Sequence, residues 1–208
     1  MSVFIYIGVI LLCYLVGSFP TAYLVVKKWA HKDVTQLGSG NIGTMNVHRA
    51  TESKPLTLLV LVADMAKGAV AIVLARTLLS SWPAGPILTG AAAVLGHNYS
   101  AYMGLKGGRG LATAAGALIV YSPLLLLLWL GLWTVPYLLS KILVVGTLTA
   151  TVLTPVAAYV LSFTETEITF TVVLSVIVLL RHTSKVRRLF EGTEPKKYWK
   201  IRDDGQKR

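Results

Sequence analysis

Charged side chains are scarce in this sequence of 208 residues. They make up 14% of it, whereas average soluble proteins carry about 25%, and 54% of the residues are hydrophobic. Residues 1–26, 110–140 and 142–164 carry no charge, and apolar runs of about 18 residues or more are typical of membrane-spanning helices. The composition therefore excludes a nucleic-acid-binding domain, a secreted disulfide scaffold and a disordered chain.

The sequence has a single cysteine, and it has no basic residue ahead of the first apolar run. Cys13 is the only cysteine, so no internal disulfide can form, and no neighbouring residues could share a metal with it. Secretory signal peptides begin with basic residues, but here Lys27 and Lys28 follow the apolar run. We therefore expect the first helix to remain in the protein, with its N-terminus outside.

The excess of basic residues, 20 Lys and Arg against 9 Asp and Glu, predicts the topology, because Lys and Arg in short loops collect on the cytoplasmic side. Basic residues follow a first span at about 3–26 and a third span at about 86–103, and they fill the tail from about residue 182. A second span at about 55–79 leads to the uncharged segment Ser80–Pro86, which is expected outside.

The segment from 110 to 180 must then cross the membrane an even number of times. Four crossings fit a turn outside at Ser122-Pro123, Lys141 inside and the loop of Glu165 and Glu167 outside. The sequence thus predicts one all-α domain over 1–208, a polytopic membrane bundle of seven helices with a cytoplasmic C-terminus. The fourth helix is short, about 12–15 residues against the roughly 17–25 that a span needs, so five longer spans are the alternative.

The first predicted inside loop carries Gly38-Ser39-Gly40-Asn41-Ile42-Gly43-Thr44-Met45-Asn46, followed by Arg49. Glycines allow a ligand to approach the backbone amides closely, and successive amides in such turns form anion-binding nests. Ser39, Asn41 and Asn46 add donors, and Arg49 adds a charge suited to phosphate. An ordinary membrane-surface turn is the alternative.

The second inside loop contains Gly96-His97-Asn98 and then Lys106-Gly107-Gly108-Arg109. Two cations around a glycine pair at the start of a helix favour a bound phosphate. The order of residues is not that of a Walker P-loop. His97 alone could equally be a packing histidine.

The third basic element is Arg181-His182, followed by Lys185, Arg187 and Arg188. A juxtamembrane patch that contacts anionic lipid is the alternative here.

Asp64 and Lys67 lie three residues apart within the second span, so they share one helix face. Either they satisfy each other, or Lys67 adds charge to the same anion site and Asp64 holds it in place.

Acidic residues are not clustered on the inside loops, where Asp33 and Glu52 stand apart. Metal-dependent phosphatidyl transfer needs clustered carboxylates, and a G-x-S-x-G nucleophile elbow is also missing. Three glycine-rich, cationic elements on one membrane face therefore predict a site for phosphorylated substrates that uses neither metal nor cofactor.

Gly38–Asn46, Gly96–Thr113 and Arg181–Glu194 resemble the three cytoplasmic motifs of the bacterial acyl-phosphate-dependent glycerol-3-phosphate acyltransferases. Gly17-Ser18 with Ala22-Tyr23-Leu24, and Asp64–Gly68, are similar to that family as well, in the same order and spacing. The resemblance implies an integral enzyme of the bacterial inner membrane. It would transfer an acyl group from acyl phosphate to the 1-position of glycerol 3-phosphate, the first step of phospholipid synthesis.

The resemblance and the motifs together imply the site residues and partners. The expected partners are acyl phosphate, glycerol 3-phosphate and membrane lipids. The expected catalytic residues are Ser39, His97 and His182. The expected substrate-binding residues are Asn41, Asn46, Arg49, Lys67, Lys106, Gly107, Gly108, Arg109 and Arg181.

The sequence departs from the family pattern at several positions. Thr44-Met45 replaces Ala-Thr, a usual Pro is replaced around Ser100, Arg109 stands for a Lys and Lys185 for an Asn. Asn can donate and accept, whereas Lys only donates, so a divergent paralogue with another acyl donor or acceptor is a second interpretation. A non-enzymatic anion transporter or phospholipid-binding protein is a third, but transporters commonly show internal repeats, and none is visible here.

Overall fold

The computed structural model describes residues 3–194, and those residues form ten α-helices and no strand. Beyond residue 194, the predicted basic tail lies outside the described residues. The helices are α1 (Val3–Ser18), α2 (Thr21–Trp29), α3 (Thr44–Thr51), α4 (Lys54–Leu78), α5 (Gly85–Asn98), α6 (Leu111–Tyr121), α7 (Pro123–Ser140), α8 (Leu143–Val160), α9 (Glu165–Leu180) and α10 (Thr183–Phe190).

The surface of the bundle is apolar, as a lipid-facing surface must be. Large hydrophobic side chains such as Val62, Leu139 and Val156 are exposed, whereas Asp64 and Lys67 are buried between helices. Within residues 3–194, four segments (α1 with α2, α4, α7 and α8) are long and apolar enough to cross a membrane, and α9 with α10, bent by 63°, is a fifth candidate. The all-α membrane bundle is confirmed, while the number of crossings and the orientation of the termini stay predictions.

One predicted span is interrupted and another ends earlier than expected. The first is broken between α1 and α2 at Phe19-Pro20, because proline has no N–H to continue the helix and disfavours helical backbone before it. The third ends at Asn98 rather than near 103. There the chain turns across the end of α1, and the Ser100 hydroxyl donates to the Ser18 carbonyl.

The boundaries of the later helices agree with the sequence. α7 begins at Pro123, where a proline costs no helical hydrogen bond, and Lys141 with φ 59° separates α7 from α8. α9 begins with a capping box between Thr164 and Glu167. α6 has 11 residues, slightly fewer than the 12–15 that the sequence predicts.

Glycines let the helices that carry the site pack backbone to backbone. A Cβ on Gly17 would overlap the Ala93 backbone, and one on Gly96 would overlap the Tyr14 carbonyl. These contacts fix α5 against α1. Small residues are the usual means of close helix packing in membranes, since the lipid supplies little hydrophobic driving force.

Candidate active site

A large open cleft lies at the end of the bundle where the three motif loops meet. Its volume is about 960 Å³, and we call it the cationic cleft. Residues from all three motifs line it, among them Ser39, Gly40, Asn41, Lys106, Gly107, Arg109, Arg181, Thr183 and Ser184.

Asn46 holds the first motif loop from behind. Its Nδ2 donates to the carbonyls of Val34 at 2.9 Å and Leu37 at 3.0 Å. Its Oδ1 accepts from the Ser39 amide at 2.8 Å and from the Ser39 hydroxyl at 3.2 Å. Gly38 has φ 57°, and a Cβ there would overlap Oδ1. Asn46 is therefore buried beneath the loop and orients Ser39, which itself lines the cleft.

The second motif loop is pressed against the end of α5. The Gly108 amide donates to the His97 carbonyl at 2.8 Å. A Cβ on Gly108 would overlap His97 Nε2, and one on Gly107 would overlap the carbonyls of His97 and Asn98. The loop lies so close to the end of α5 that only glycine fits at these two positions. The glycine pair thereby places Lys106 and Arg109 on the cleft.

Arg181 connects the third motif to the second. Its Nε donates to the Gly108 carbonyl and its Nη2 to the Gly107 carbonyl, both at 3.1 Å. Its guanidinium carbon also lies 4.8 Å from the centre of the Tyr99 ring. The planar guanidinium group of arginine suits such a two-point contact. Arg181 therefore holds the second and third motifs, which are far apart in the sequence, together at one face of the cleft.

Glu194 is a buried carboxylate shared among several cations. Lys185 Nζ donates to its two oxygens at 2.7 and 3.0 Å, and Arg188 Nε lies 3.5 Å from Oε2. Burial lowers the pKa of Arg49 and of Arg109, and the nearby Glu194 opposes this effect. Both arginines remain charged at neutral pH, because the ordinary pKa of arginine is so high. The cluster therefore has more positive than negative charge, which favours an anionic ligand.

His182 is buried at the start of α10. Its Nδ1 lies 2.8 Å from the Val178 carbonyl, which can only accept, so Nδ1 carries the proton. Burial is the main cause that lowers the pKa of His182, and Arg109 and Lys185 lower it further. The imidazole is therefore neutral at pH 7, with Nε2 able to accept a proton.

Asp64 and Lys67 form the ion pair that their spacing predicts. Lys67 Nζ lies 2.6 Å from Asp64 Oδ1 and also donates to the Phe19 carbonyl at 2.7 Å. His97 Nδ1 lies 3.7 Å from the same carboxylate oxygen. Lys67 thus supplies a hydrogen bond to the carbonyl freed by the break between α1 and α2.

The predicted site residues divide into two groups by position. Those that line the cationic cleft are Ser39, Asn41, Lys106, Gly107, Arg109 and Arg181. Those that do not line it are Asn46, Arg49, Lys67, His97, Gly108 and His182. Their catalytic and binding roles stay predictions.

Sequence reasoning assigned no role to several residues in and around the cleft. Tyr23, Thr183 and Ser184 line the cleft, and Glu194 pairs with Lys185 and Arg188. The position of Thr183 and Ser184 directly after His182 was an available signal. Nothing in the sequence places Tyr23, on α2, beside the second motif.

Comparison with known proteins gives one consistent result. The family model described as glycerol-3-phosphate acyltransferase matches residues 7–192. A glycerol-3-phosphate acyltransferase of Jannaschia sp. (strain CCS1) is 37% identical over 186 residues, 89% of this chain and 90% of the relative. One of Thermus thermophilus is 39% identical over 191 residues, 89% of this chain and 92% of the relative.

The fold is also similar to solved structures. The crystal structure of PlsY, an integral membrane glycerol 3-phosphate acyltransferase, in its glycerol 3-phosphate form, superposes with a TM-score of 0.80 at 29% identity. The match covers 91% of this chain and 94% of that one. The lysophosphatidic acid form gives a TM-score of 0.79 at 28% identity. The chain therefore belongs to the glycerol-3-phosphate acyltransferase family and is a multi-pass membrane acyltransferase of phospholipid biosynthesis.

Proposed function

We propose that this protein transfers a fatty acyl group from an acyl phosphate to the 1-hydroxyl of glycerol 3-phosphate. The products are lysophosphatidic acid and inorganic phosphate. The observation that carries the proposal is the cationic cleft, in which Ser39, Lys106 and Arg181 converge from three distant parts of the chain. Both substrates are phosphorylated, and the names of the relatives support the acceptor.

The reaction forms one ester bond and breaks one mixed-anhydride bond. The hydroxyl oxygen attacks the acyl carbon, the bond from that carbon to the phosphate oxygen breaks, and the hydroxyl proton ends on the released phosphate. Phosphate is a good leaving group, so neither a covalent enzyme intermediate nor a metal is needed. Charge neutralisation and orientation of the hydroxyl can supply the rate enhancement.

The residues of the cleft divide this work. Lys106 and Arg109 neutralise the substrate phosphates, and the charge of buried Arg49 adds to the positive electrostatic potential of these two residues. The Ser39 hydroxyl, held by Asn46, donates a hydrogen bond toward the reacting carbonyl. The hydroxyl proton passes to a phosphate oxygen of a substrate. The alternative acceptor is Nε2 of His182, which is buried and does not itself line the cleft.

The decisive experiment uses purified, folded protein with palmitoyl phosphate and glycerol 3-phosphate. Release of equal amounts of phosphate and lysophosphatidic acid is expected, unchanged by a chelator and not reproduced with palmitoyl-CoA. Ser39→Ala, Lys106→Ala and His182→Ala should each lower turnover, whereas Lys28→Ala, at an exposed lysine outside the cleft, should not. A folded protein that makes no product contradicts the proposal, and full activity in all three variants contradicts the proposed site.

The cleft is proposed to face the cytoplasm at the bacterial plasma membrane, because its loops are rich in Lys and Arg. A cysteine at exposed Glu191, in a Cys13→Ser background, tests this. An impermeant maleimide should label Glu191→Cys only after the inner membrane is opened. Labelling in intact cells with a permeable outer membrane would place the cleft on the other side.

A further inference from the structure

A buried chain of polar contacts connects the middle of α4 to the second motif loop. Lys67 Nζ donates to Asp64 Oδ1 at 2.6 Å and to the Phe19 carbonyl at 2.7 Å. His97 Nδ1 lies 3.7 Å from the same carboxylate oxygen. Gly108 lies on the other side of the imidazole ring, where a Cβ would overlap Nε2. We call Asp64, Lys67 and His97 the buried triad.

The buried triad lies outside the cationic cleft. The exposed fraction is 1% for Asp64, 7% for Lys67 and 6% for His97, and none of the three lines the cleft. A role of the triad in the reaction must therefore act through residues that do line it.

The ion pair within the triad is not explained by stability alone. Asp64 Oδ2 is buried and makes no hydrogen bond within residues 3–194. Burying a carboxylate is costly, and a buried ion pair can often be replaced by apolar residues without loss of stability. Ionisable side chains inside a membrane bundle commonly serve its functional site. The depth of Asp64 and Lys67 therefore points to a function beyond their mutual pairing.

His97 connects this carboxylate to the loop. The distance of 3.7 Å between His97 Nδ1 and Asp64 Oδ1 is longer than a hydrogen bond, so the attraction between them is electrostatic. The carboxylate favours the tautomer with the proton on Nδ1 and so fixes the orientation of the ring. The His97 carbonyl accepts from the Gly108 amide at 2.8 Å. The imidazole is thus a spacer between Asp64 and Gly108.

The second motif loop is held from two sides. Arg181 donates to both carbonyls of the glycine pair at 3.1 Å, and the His97 ring packs behind the pair. Lys106 and Arg109 flank the glycine pair and line the cleft. A shift of the His97 ring would therefore move the two cations that face a ligand.

We infer that Asp64 and His97 are positioning residues for phosphate binding. Asp64 holds His97, and His97 holds the loop that presents Lys106 and Arg109 to a substrate phosphate. Lys67 neutralises the buried carboxylate. This inference rests on the proposed function and adds to it two residues outside the cleft. His97 accordingly takes no part in proton transfer.

The double variant Asp64→Asn with Lys67→Met tests the role of the carboxylate. It leaves no unpaired buried charge, so its melting temperature should change by only a few degrees. Without the carboxylate, KM for glycerol 3-phosphate should rise about tenfold or more, since a displacement of about 1 Å can cost on the order of 100-fold. The change in kcat should stay below about threefold, because weaker phosphate binding affects ground and transition states alike. A wild-type KM would overturn the inference.

His97→Ala tests whether the carboxylate acts through the imidazole. This variant alone should raise KM by a similar factor. Adding Asp64→Asn and Lys67→Met to it should raise KM further by less than about twofold, because residues that act in series are not additive. A full further loss would show that Asp64 or Lys67 acts on the substrate directly, which contradicts the inference.

Binding of inorganic phosphate gives a readout that needs no turnover. Phosphate should raise the melting temperature of the wild type, since a ligand that binds the folded state stabilises it. His97→Ala and the Asp64→Asn/Lys67→Met variant should each need about tenfold more phosphate for the same rise. An unchanged phosphate requirement in both variants contradicts the inference.

Leu79→Ala is the control for a general loss of stability. Leu79 is fully buried and lies about 22 Å along α4 from Asp64, at the helical rise per residue. Leu79→Ala should lower the melting temperature without changing KM or the phosphate requirement. If it raises KM as the triad variants do, the positioning role is refuted. A wild-type enzyme that responds to phosphate but releases none from palmitoyl phosphate refutes the proposed function instead.

Discussion

Asn46→Asp is the sharpest test of how the first motif loop is built. The substitution keeps the shape of the side chain but replaces Nδ2, which donates to the Val34 and Leu37 carbonyls, by an acceptor. The buried Val34 carbonyl and the partly buried Leu37 carbonyl then lose their donor and face a carboxylate oxygen. Leaving a buried polar group unsatisfied costs about 1–3 kcal/mol, so the loop loses about 2–6 kcal/mol of stability.

The loss should appear in activity before it appears in global unfolding. Only the loop around Ser39 depends on these bonds, whereas α4 and α5 pack elsewhere. A cost of about 2 kcal/mol corresponds to roughly 30-fold in kcat/KM, the smallest fall expected. The melting temperature in detergent should change by only a few degrees.

The effect of Asn46→Asp should also depend on pH. Burial beside two carbonyls raises the folded-state pKa of the new carboxyl group, so its contribution to stability is present at low pH and is lost as pH rises through that pKa. Activity relative to wild type should therefore recover partly toward pH 5, where the protonated carboxyl can donate to one carbonyl. Asn46→Ala, which cannot titrate, is the control. Equal pH profiles for the two variants, or wild-type kcat/KM for Asn46→Asp at pH 8, would refute this account of the loop.

Three further predictions concern the other two motifs. Arg181→Lys should lower kcat/KM about tenfold with little change in melting temperature, because a lysine cannot reproduce the two-point contact with Gly107 and Gly108; wild-type kinetics would contradict the clamp. Gly108→Ala should cost more activity than Gly131→Ala, since a Cβ on Gly108 meets His97 whereas one on Gly131 meets nothing within 4 Å; steady-state rates of the two variants decide this. Glu194→Gln should lower stability by about 3–5 kcal/mol, as expected when one partner of a buried ion pair is removed, and adding Lys185→Gln should restore part of it in thermal unfolding; a double variant no more stable than Glu194→Gln would contradict the pairing.

The sequence was sufficient for features that local chemistry decides. Pro123 and the Thr164 capping box mark helix starts by local backbone chemistry. The charge of Lys141 indicates the turn between α7 and α8, and the charge pattern predicts that the three motifs share one face. The sequence was not sufficient where contacts between distant residues determine the structure. The contacts of Arg181 with Gly107, and of Lys67 with the Phe19 carbonyl, join segments 74 and 48 residues apart.

The same limit explains the division of the site residues. Asn46 and Ser39 belong to one motif and have similar polarity, yet one is buried and the other lines the cleft. Which of them faces a ligand depends on where the carbonyls of Val34 and Leu37 lie. The position of these carbonyls is a property of the folded loop, and the spacing of residues in the sequence does not predict it.

The clamp between Arg181 and the second motif has a consequence for synthesis of the protein. The first two motif loops leave the ribosome well before Arg181, which lies 73 residues after Gly108. A nascent chain therefore holds the first two motif loops at the membrane before Arg181 is available to close the cleft. Acyl transfer should begin only when the last membrane helix is in place, so incomplete chains cannot consume the donor.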